Sequence, residues 1–150
     1  MSKSTSRTIL VLNGPNLNML GVREPEIYGR ETLEDVKKRC ERRAGQHGYT
    51  VDFRQSNFEG VLVEACQEAR EKAAAIVINP AALTFYSIAL LDALKMFNGP
   101  KAEVHISNVH QREEIYHHSL ISKTAHVVIC GAGTLGYELG IEAVIGRLST

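Results

Sequence analysis

Hydrophobic and polar residues follow two different periods along this chain, and the periods alternate from one segment to the next. Short uninterrupted apolar runs predict strands covered on both faces, and apolar residues at intervals of three or four predict helices. Residues 50–54 instead alternate apolar and polar side chains, which is typical of a half-exposed strand at a sheet edge. The predicted strands cover residues 9–12, 50–54, 75–78, 103–107 and 127–130, and the predicted helices cover 33–47, 60–72, 87–96 and a last stretch from 135.

The order of these elements predicts an α/β fold with a parallel sheet. Five strands that alternate with helices, without an internal repeat, imply crossover connections, which place helices on both faces of the sheet. With residues 50–54 at an edge, the strand order 2-1-3-4-5 is favoured. We expect residues 1–7 to form a flexible tail and residues 8–150 to form a single domain. The inner side of the last helix is predicted to carry Leu135, Leu139, Ala143 and Ile145.

Polar residues gather where three of the predicted strands end. In sheets of this order, ligands bind beyond the carboxyl ends of the strands, at the switch between strands one and three. The segments that follow strand one (13–30), strand three (79 onward) and strand four (105 onward) should therefore converge. The sequence predicts a binding site at that edge of the sheet.

Strand four carries the best candidates for proton transfer. Glu103 and His105 are two residues apart and so face the same side of the strand, which places a carboxylate beside an imidazole. We interpret His105 as a proton donor and Glu103 as the group that holds its ring. The backbone amides of Ile106 and Ser107 suit a bound carboxylate, although Ser107 is also a common turn former. Asn79, ahead of a proline, either points into the crevice or closes its own turn.

A long connection follows strand one and contains a second candidate group. It runs for about twenty residues and carries Asn16, Arg23, Tyr28 and Arg30. A guanidinium near a phenol favours the phenolate, so Arg23 beside Tyr28 would supply a general base. The alternative is that Tyr28 packs on the surface and Arg23 stays solvated.

Charge, hydropathy and cysteines exclude several classes. Lys plus Arg and Asp plus Glu number 17 each, so no broad basic surface for nucleic acid is expected. The first residues lack the apolar segment of a secretion signal, and no apolar run is long enough to cross a membrane, which favours a cytoplasmic protein. Cys40, Cys66 and Cys130 lack metal-ligand spacing and are interpreted as buried, reduced thiols.

The glycines at 131, 133 and 136 spell a dinucleotide-binding pattern after a strand. Such a motif needs an acidic residue at the end of the next strand, whereas only one helix remains here. We interpret these glycines as serving a tight turn and close helix packing.

Several segments together resemble the type II 3-dehydroquinate dehydratases, over almost the whole chain from Ile9 to the last helix. Their order and spacing match as well as their residues. The matching segments are Asn13-Gly14-Pro15-Asn16-Leu17-Asn18-Met19-Leu20-Gly21, Arg23-Glu24-Pro25-x-x-Tyr28-Gly29, Asn79-Pro80-Ala81-Ala82-Leu83-Thr84 and Glu103-Val104-His105-Ile106-Ser107-Asn108-Val109-His110-x-Arg112-Glu113.

The resemblance implies a flavodoxin-like fold, assembly as a dodecamer of trimers, a hydroxy-keto carboxylate substrate, and no metal or organic cofactor. It also implies an anti elimination of water from 3-dehydroquinate through an enolate. The implied roles are Tyr28 as base activated by Arg23, Asn16 holding the enolate through a water, His105 as acid oriented by Glu103, Asn79 on the departing hydroxyl, Ile106 and Ser107 on the carboxylate, and Asp92 at an adjoining subunit's site.

The chain departs from the family at the end of the site that recognises the substrate's two far hydroxyls. Phe85 stands where the family has a histidine, Tyr116 where it usually has an arginine, and Leu91 replaces an arginine beside Asp92. An unpaired substrate hydroxyl costs on the order of 1–3 kcal/mol. The expectations are therefore a dehydroquinate dehydratase, a paralogous dehydratase acting on another hydroxy-keto acid, or a non-catalytic binding domain on the same fold.

Overall fold

A computed structural model describes residues 6–22 and 25–150, with the side chains of residues 27 and 28 outside the description. It contains the five predicted strands, the fourth of which begins and ends two residues earlier than predicted, and, in addition, a short helix inside the first long connection. The strands are β1 (Thr8–Asn13), β2 (Thr50–Gln55), β3 (Ala75–Asn79), β4 (Lys101–His105) and β5 (Val127–Cys130). The α-helices are α1 (Pro25–Tyr28), α2 (Leu33–Gly45), α3 (Glu59–Lys72), α4 (Ile88–Lys95) and α5 (Leu135–Leu148).

The strands form one parallel sheet in the order β2-β1-β3-β4-β5, which confirms the predicted topology. Its central strands β1, β3 and β4 are buried almost throughout, whereas β2 is only partly buried, as its alternating pattern indicated. Asn13 and Asn79, the last residues of β1 and β3, stand opposite each other in register. The carboxyl ends of the central strands are thereby aligned at one edge.

Each face of the sheet packs against its own pair of helices. Leu10 and Leu12 of β1 join a cluster with α3 and α4, while Ile9 and Val11 join a cluster with α2 and α5. This split follows from the period of two along a strand, because successive side chains leave the sheet on opposite faces. Among the described residues, no helix combines the length and the apolar content needed to cross a membrane.

The start of α2 shows how local sequence fixes a helix end. Thr32 accepts a hydrogen bond from the Asp35 amide at 3.2 Å, and the Asp35 carboxylate accepts one from the Thr32 amide at 3.0 Å. This reciprocal pair forms a capping box, and it satisfies two amides that the helix itself leaves unpaired.

The face of α5 that packs on the sheet differs from the one that its leucines predict. Leu135 and Leu139 are 42% and 40% exposed, while Tyr137 and Ile141 are fully buried. The prediction was wrong for these two leucines, although Ile145 is buried as expected, because two glycines line the inner face. A Cβ at Gly140 would lie 3.1 Å from side-chain atoms of Val104 and Val77, so the helix reaches the sheet only without side chains there.

The turn between β5 and α5 confirms the structural interpretation of the glycine-rich motif. Gly131 and Gly133 adopt φ values of 85° and 63°, in the left-handed region that residues with a Cβ rarely occupy. A Cβ on Gly136 would meet Val104 at 3.2 Å. Turn geometry and close packing therefore account for these glycines.

The cysteines are free, as their spacing indicated, but they differ in burial. Cys40 and Cys66 are buried and Cys130 is half-buried. Burial raises the pKa of the Cys40 and Cys66 thiols to about 12, so both stay protonated and unreactive near neutral pH.

Candidate active site

A cavity of about 220 Å³ opens at the carboxyl ends of β1, β3 and β4. The segments expected to converge there do so, because each of these strands is followed by residues that line it. Contact between the first two segments is close: the Gly14 amide donates to the Asn79 carbonyl at 2.8 Å, and a Cβ on Gly14 would lie 2.4 Å from the Pro80 carbonyl oxygen. The lining residues are Pro15, Asn16, Leu17, Met19, Leu20, Asn79, Ala81, Ala82, Phe85, His105, Ile106, Ser107, Val109, Arg112 and Tyr116.

His105 is held in the wall of this cavity by Glu103. The imidazole Nε2 lies 2.5 Å from the Glu103 carboxylate, and the two residues are 6% and 1% exposed. Two serines beyond the strand complete the carboxylate's shell: Ser119 Oγ donates at 2.8 Å and Ser122 Oγ at 2.6 Å. The predicted side-by-side placement of Glu103 and His105 is confirmed.

The charge on Glu103 fixes the tautomer of His105. Burial pushes the pKa of Glu103 upward, but hydrogen bonds from His105 and Ser122 outweigh it and hold the pKa below its usual range. An ionised carboxylate only accepts hydrogen bonds, so the proton between the two side chains belongs to Nε2. The other ring nitrogen, Nδ1, is therefore the one available to the cavity for proton transfer.

Asn79 lines the cavity and also closes its own turn, so the two alternative predictions for this residue are both met. Its Oδ1 accepts from the Ala81 amide at 3.1 Å, and its Nδ2 donates to the Tyr137 hydroxyl at 2.9 Å. Ala81 adopts a φ of 53°, an unfavourable conformation for a residue with a Cβ. Such strain is common where backbone is bent around a site.

The turn after β4 presents backbone donors at the cavity. Ile106 and Ser107 line it, and within the described part of the chain neither amide has a hydrogen-bond acceptor. The Ile106 carbonyl instead accepts from the Gly133 amide at 3.0 Å, which ties this turn to the one after β5. Two neighbouring unpaired amides suit an anion such as a carboxylate.

The far wall of the cavity is aromatic. The Phe85 ring lies 6.2 Å from the His105 ring, centroid to centroid, and meets Tyr116 edge to face at 5.3 Å. The Arg112 guanidinium stacks on the Tyr116 ring, 3.8 Å from its centroid. Edge-to-face rings and a stacked guanidinium attract each other through the ring quadrupole, so these three side chains form one unit.

The remaining predicted site residues are placed unevenly. Asn16 lines the cavity with its backbone in the left-handed region at φ 72°, and its amide donates to Asn57 Oδ1 at 2.9 Å. Arg23 lies outside the described residues. Tyr28 ends α1, but its side chain also lies outside the description. Asp92 is exposed on α4 and does not line the cavity of its own chain.

Sequence reasoning missed the residues that support the site from behind. Ser119 and Ser122 follow an irregular segment with no period, and Asn13 carries no signal in the sequence beyond its place at the end of a strand. A lone tyrosine among the apolar residues of α5 was the one available signal for Tyr137. Among the described residues, no group of three or more His, Cys, Asp or Glu is arranged to hold a metal ion.

The fold and cavity define a parallel α/β domain with an acid–base site at its topological switch point. The family model for class II dehydroquinase matches residues 7–145. The chain therefore belongs to the class II dehydroquinase family.

Individual relatives agree with the family match. A 3-dehydroquinate dehydratase of Cereibacter sphaeroides (strain ATH 2.4.1) is 55% identical over 137 residues, covering 91% of this chain and 93% of the relative. The 3-dehydroquinate dehydratase 2 of Pseudomonas aeruginosa PAO1 is 56% identical over 137 residues, with the same coverage of 91% and 93%. The crystal structure of type II dehydroquinase from Propionibacterium acnes superimposes with a TM-score of 0.90 at 42% identity, covering 95% of this chain and 99% of that one.

Proposed function

We propose that this chain is a hydro-lyase that removes water from 3-dehydroquinate by anti elimination through an enolate, giving 3-dehydroshikimate. Family membership and the names of the relatives support the reaction. The observation that carries the chemistry is His105, buried in the cavity wall and hydrogen-bonded to an ionised carboxylate. Elimination needs one group to remove a proton and another to deliver one, and His105 is suited to the delivery.

The proposed first step is removal of a proton from the carbon next to the substrate ketone. Tyr28 is the proposed base, with Arg23 favouring its phenolate; this assignment rests on the sequence. Negative charge then develops on the ketone oxygen, and Asn16 would hold it through a bridging water. Stabilising that charge in a water-poor cavity is the largest expected contribution to the rate.

The proposed second step is loss of the hydroxyl group. His105 protonates the departing oxygen, so that it leaves as water, while Glu103 keeps the ring oriented and stabilises the imidazolium that precedes transfer. Asn79 contacts the same hydroxyl. The substrate carboxylate binds the amides of Ile106 and Ser107, which line the cavity beside His105.

The reaction is tested by following the ultraviolet absorbance of the conjugated product after addition of dehydroquinate. We expect a rise with the wild type and a rate lower by on the order of 10²–10⁴ for His105→Gln, the range for a lost general acid. His47→Gln is the matched control, because His47 also bonds a glutamate but lies on the surface. Equal rates for His105→Gln and the wild type would reject the assignment.

A second candidate function is supported by the aromatic wall. A paralogous dehydratase acting on a different hydroxy-keto acid would suit a cavity where Phe85 and Tyr116 pack against each other rather than offering a histidine and an arginine. Absence of product from dehydroquinate with the wild type, together with a rise after Phe85→His plus Tyr116→Arg, would support this alternative. Absence of turnover with any related hydroxy-keto acid, alongside measurable binding, would favour a non-catalytic binding domain.

We also propose that the protein is cytoplasmic and forms a homo-oligomer, a dodecamer assembled from trimers. The proposed enzyme needs no metal or organic cofactor and has no nucleic-acid or membrane partner. Asp92 supports an assembled site, because it is exposed on α4 and does not line the cavity of its own chain. In the assembly, Asp92 would reach the site of an adjoining subunit. Sedimentation velocity tests the assembly, and a species with the mass of a single chain would contradict it.

A further inference from the structure

A buried tyrosine on the last helix connects the ends of two strands beneath the cavity. Tyr137 is fully buried, and its hydroxyl donates to Asn13 Oδ1 at 2.7 Å while accepting from Asn79 Nδ2 at 2.9 Å. Asn13 and Asn79 are the last residues of the adjacent strands β1 and β3. The tyrosine ring thus reaches from one face of the sheet to the edge where the site lies.

The backbone groups at both ends of this row of hydrogen bonds fix which side-chain atom donates and which accepts. The Ala81 amide can only donate, so the Asn79 atom that it contacts is Oδ1, and the other Asn79 atom is the Nδ2 donor. At the opposite end, Asn13 Nδ2 donates to the Arg54 carbonyl at 3.1 Å, so the Asn13 atom facing Tyr137 is the acceptor. A flipped Asn79 amide would set two N–H groups against each other at Ala81.

Tyr137 is suited to hold this network rather than to exchange protons. Burial is the main cause that raises its pKa above the usual value, so the hydroxyl stays protonated at any pH at which the protein works. It therefore remains both donor and acceptor. Its partner Asn79 donates one Nδ2 hydrogen to Tyr137, and no acceptor among the described residues contacts the second; Asn79 lines the cavity.

We propose that Tyr137 is a positioning residue for the dehydration, fixing the Asn79 carboxamide so that its second N–H, and not its oxygen, is presented to the departing hydroxyl. This inference rests on the proposed function. The N–H group donates a hydrogen bond to the departing oxygen while the carbon–oxygen bond breaks. This hydrogen bond strengthens as negative charge develops on the oxygen. Without Tyr137, the Asn79 carboxamide would be held only where Oδ1 accepts from the Ala81 amide, so its Nδ2 could swing about that contact and would lose its fixed position toward the departing hydroxyl.

Tyr137→Phe tests the inference, because it removes one oxygen and keeps the ring. We expect kcat to fall about tenfold with KM changed less than about twofold, the size of one lost hydrogen bond made in the transition state. Tyr49→Phe is the matched control: Tyr49 packs against the same hydrophobic cluster, far from the cavity. It should keep the wild-type kcat and KM.

A double-mutant cycle separates positioning from general destabilisation. With Asn79→Ala as the background, the tyrosine has no amide to position, so Tyr137→Phe should change kcat less than about twofold further. A tenfold fall in both backgrounds, or an unchanged kcat in the wild-type background, would overturn the inference. Should Tyr137→Phe not fold, Asn13→Ala removes the acceptor of the same hydroxyl and enters the same cycle.

Crystal structures supply a readout that needs no turnover. We expect the Asn79 carboxamide to rotate in Tyr137→Phe and to keep its place in Tyr49→Phe. An unmoved Asn79 in Tyr137→Phe would overturn the inference even if the wild type proved inactive on dehydroquinate. A wild type without turnover rejects the proposed function itself, so the two failures are distinguishable.

Discussion

The described residues include two histidine–glutamate pairs, which lie in opposite surroundings. In the cavity, His105 and Glu103 lie 2.5 Å apart with side chains 7% and 1% exposed. On the surface between α2 and α5, His47 and Glu142 lie 3.0 Å apart with side chains 39% and 36% exposed. Both glutamates have a pKa below the usual range, but for Glu142 the hydrogen bond from His47 is the main cause, whereas Glu103 keeps a low pKa against a larger opposing effect of burial.

The difference lies in what replaces water around the carboxylate. Ser119 and Ser122 solvate Glu103 with fixed hydroxyls, while Glu142 also contacts Arg43 at 3.4 Å and remains open to solvent. A fixed shell keeps one tautomer and one orientation of the imidazole, which proton transfer requires. A solvated pair contributes little to stability or to chemistry. Burial, and not the identity of the pair, therefore makes His105 the candidate acid.

Among the substitutions that compare the two pairs, Glu103→Gln should lower kcat the most. Without the carboxylate, the imidazolium is less stable and the ring can adopt the other tautomer, so kcat should fall on the order of 10²-fold or more. Glu142→Gln makes the same chemical change in the surface pair and should stay within about twofold of the wild type. Steady-state kinetics on dehydroquinate measures both, and a Glu103→Gln enzyme as active as Glu142→Gln would remove the distinction between the pairs.

Ser122→Ala should have a smaller effect with a characteristic pH dependence. Losing one donor raises the pKa of Glu103 toward its usual value, so the acid limb of the kcat profile should move to higher pH, and kcat should fall roughly three- to tenfold. Ser149→Ala is a suitable control, because that hydroxyl donates to the Ile145 carbonyl at the end of α5 and lies outside the cavity lining. An unshifted acid limb would show that the serine does not tune Glu103.

The low pKa of Glu103 should make the folded protein less stable as the pH falls. A carboxyl whose folded pKa lies below its unfolded value near 4.5 stabilises the protein above that value, and the contribution is lost as pH falls through the folded pKa. Between neutral pH and pH 4, the free energy of unfolding in urea should thus fall by on the order of 1 kcal/mol more for the wild type than for Glu103→Gln. Parallel pH dependences would contradict this.

The smallest effect is expected at the surface pair. His47→Gln should change the free energy of unfolding by less than about 0.5 kcal/mol, and added salt should reduce even that difference, since exposed charges are screened. Urea unfolding at low and high ionic strength measures it. A loss comparable with that of a buried pair would mean that exposure does not separate the two.

The sequence by itself determined the strands, their order and the pairing of Glu103 with His105. These depend on periods that act locally: apolar runs mark buried strands, and a spacing of two places side chains on one face. The Thr32 cap is local for the same reason, because its partner lies three residues away.

Only the tertiary structure decided which distant groups complete the site. Ser119 and Ser122 reach Glu103 through an irregular segment, Tyr137 reaches Asn79 across 58 residues, and Phe85 meets Tyr116 between different loops. The two leucines mispredict the buried face of α5, because glycines that let two backbones approach carry no apolar signal. Local pattern fixes where a side chain leaves its strand or helix, but its partner depends on how the connections pack, and no period in the sequence encodes that.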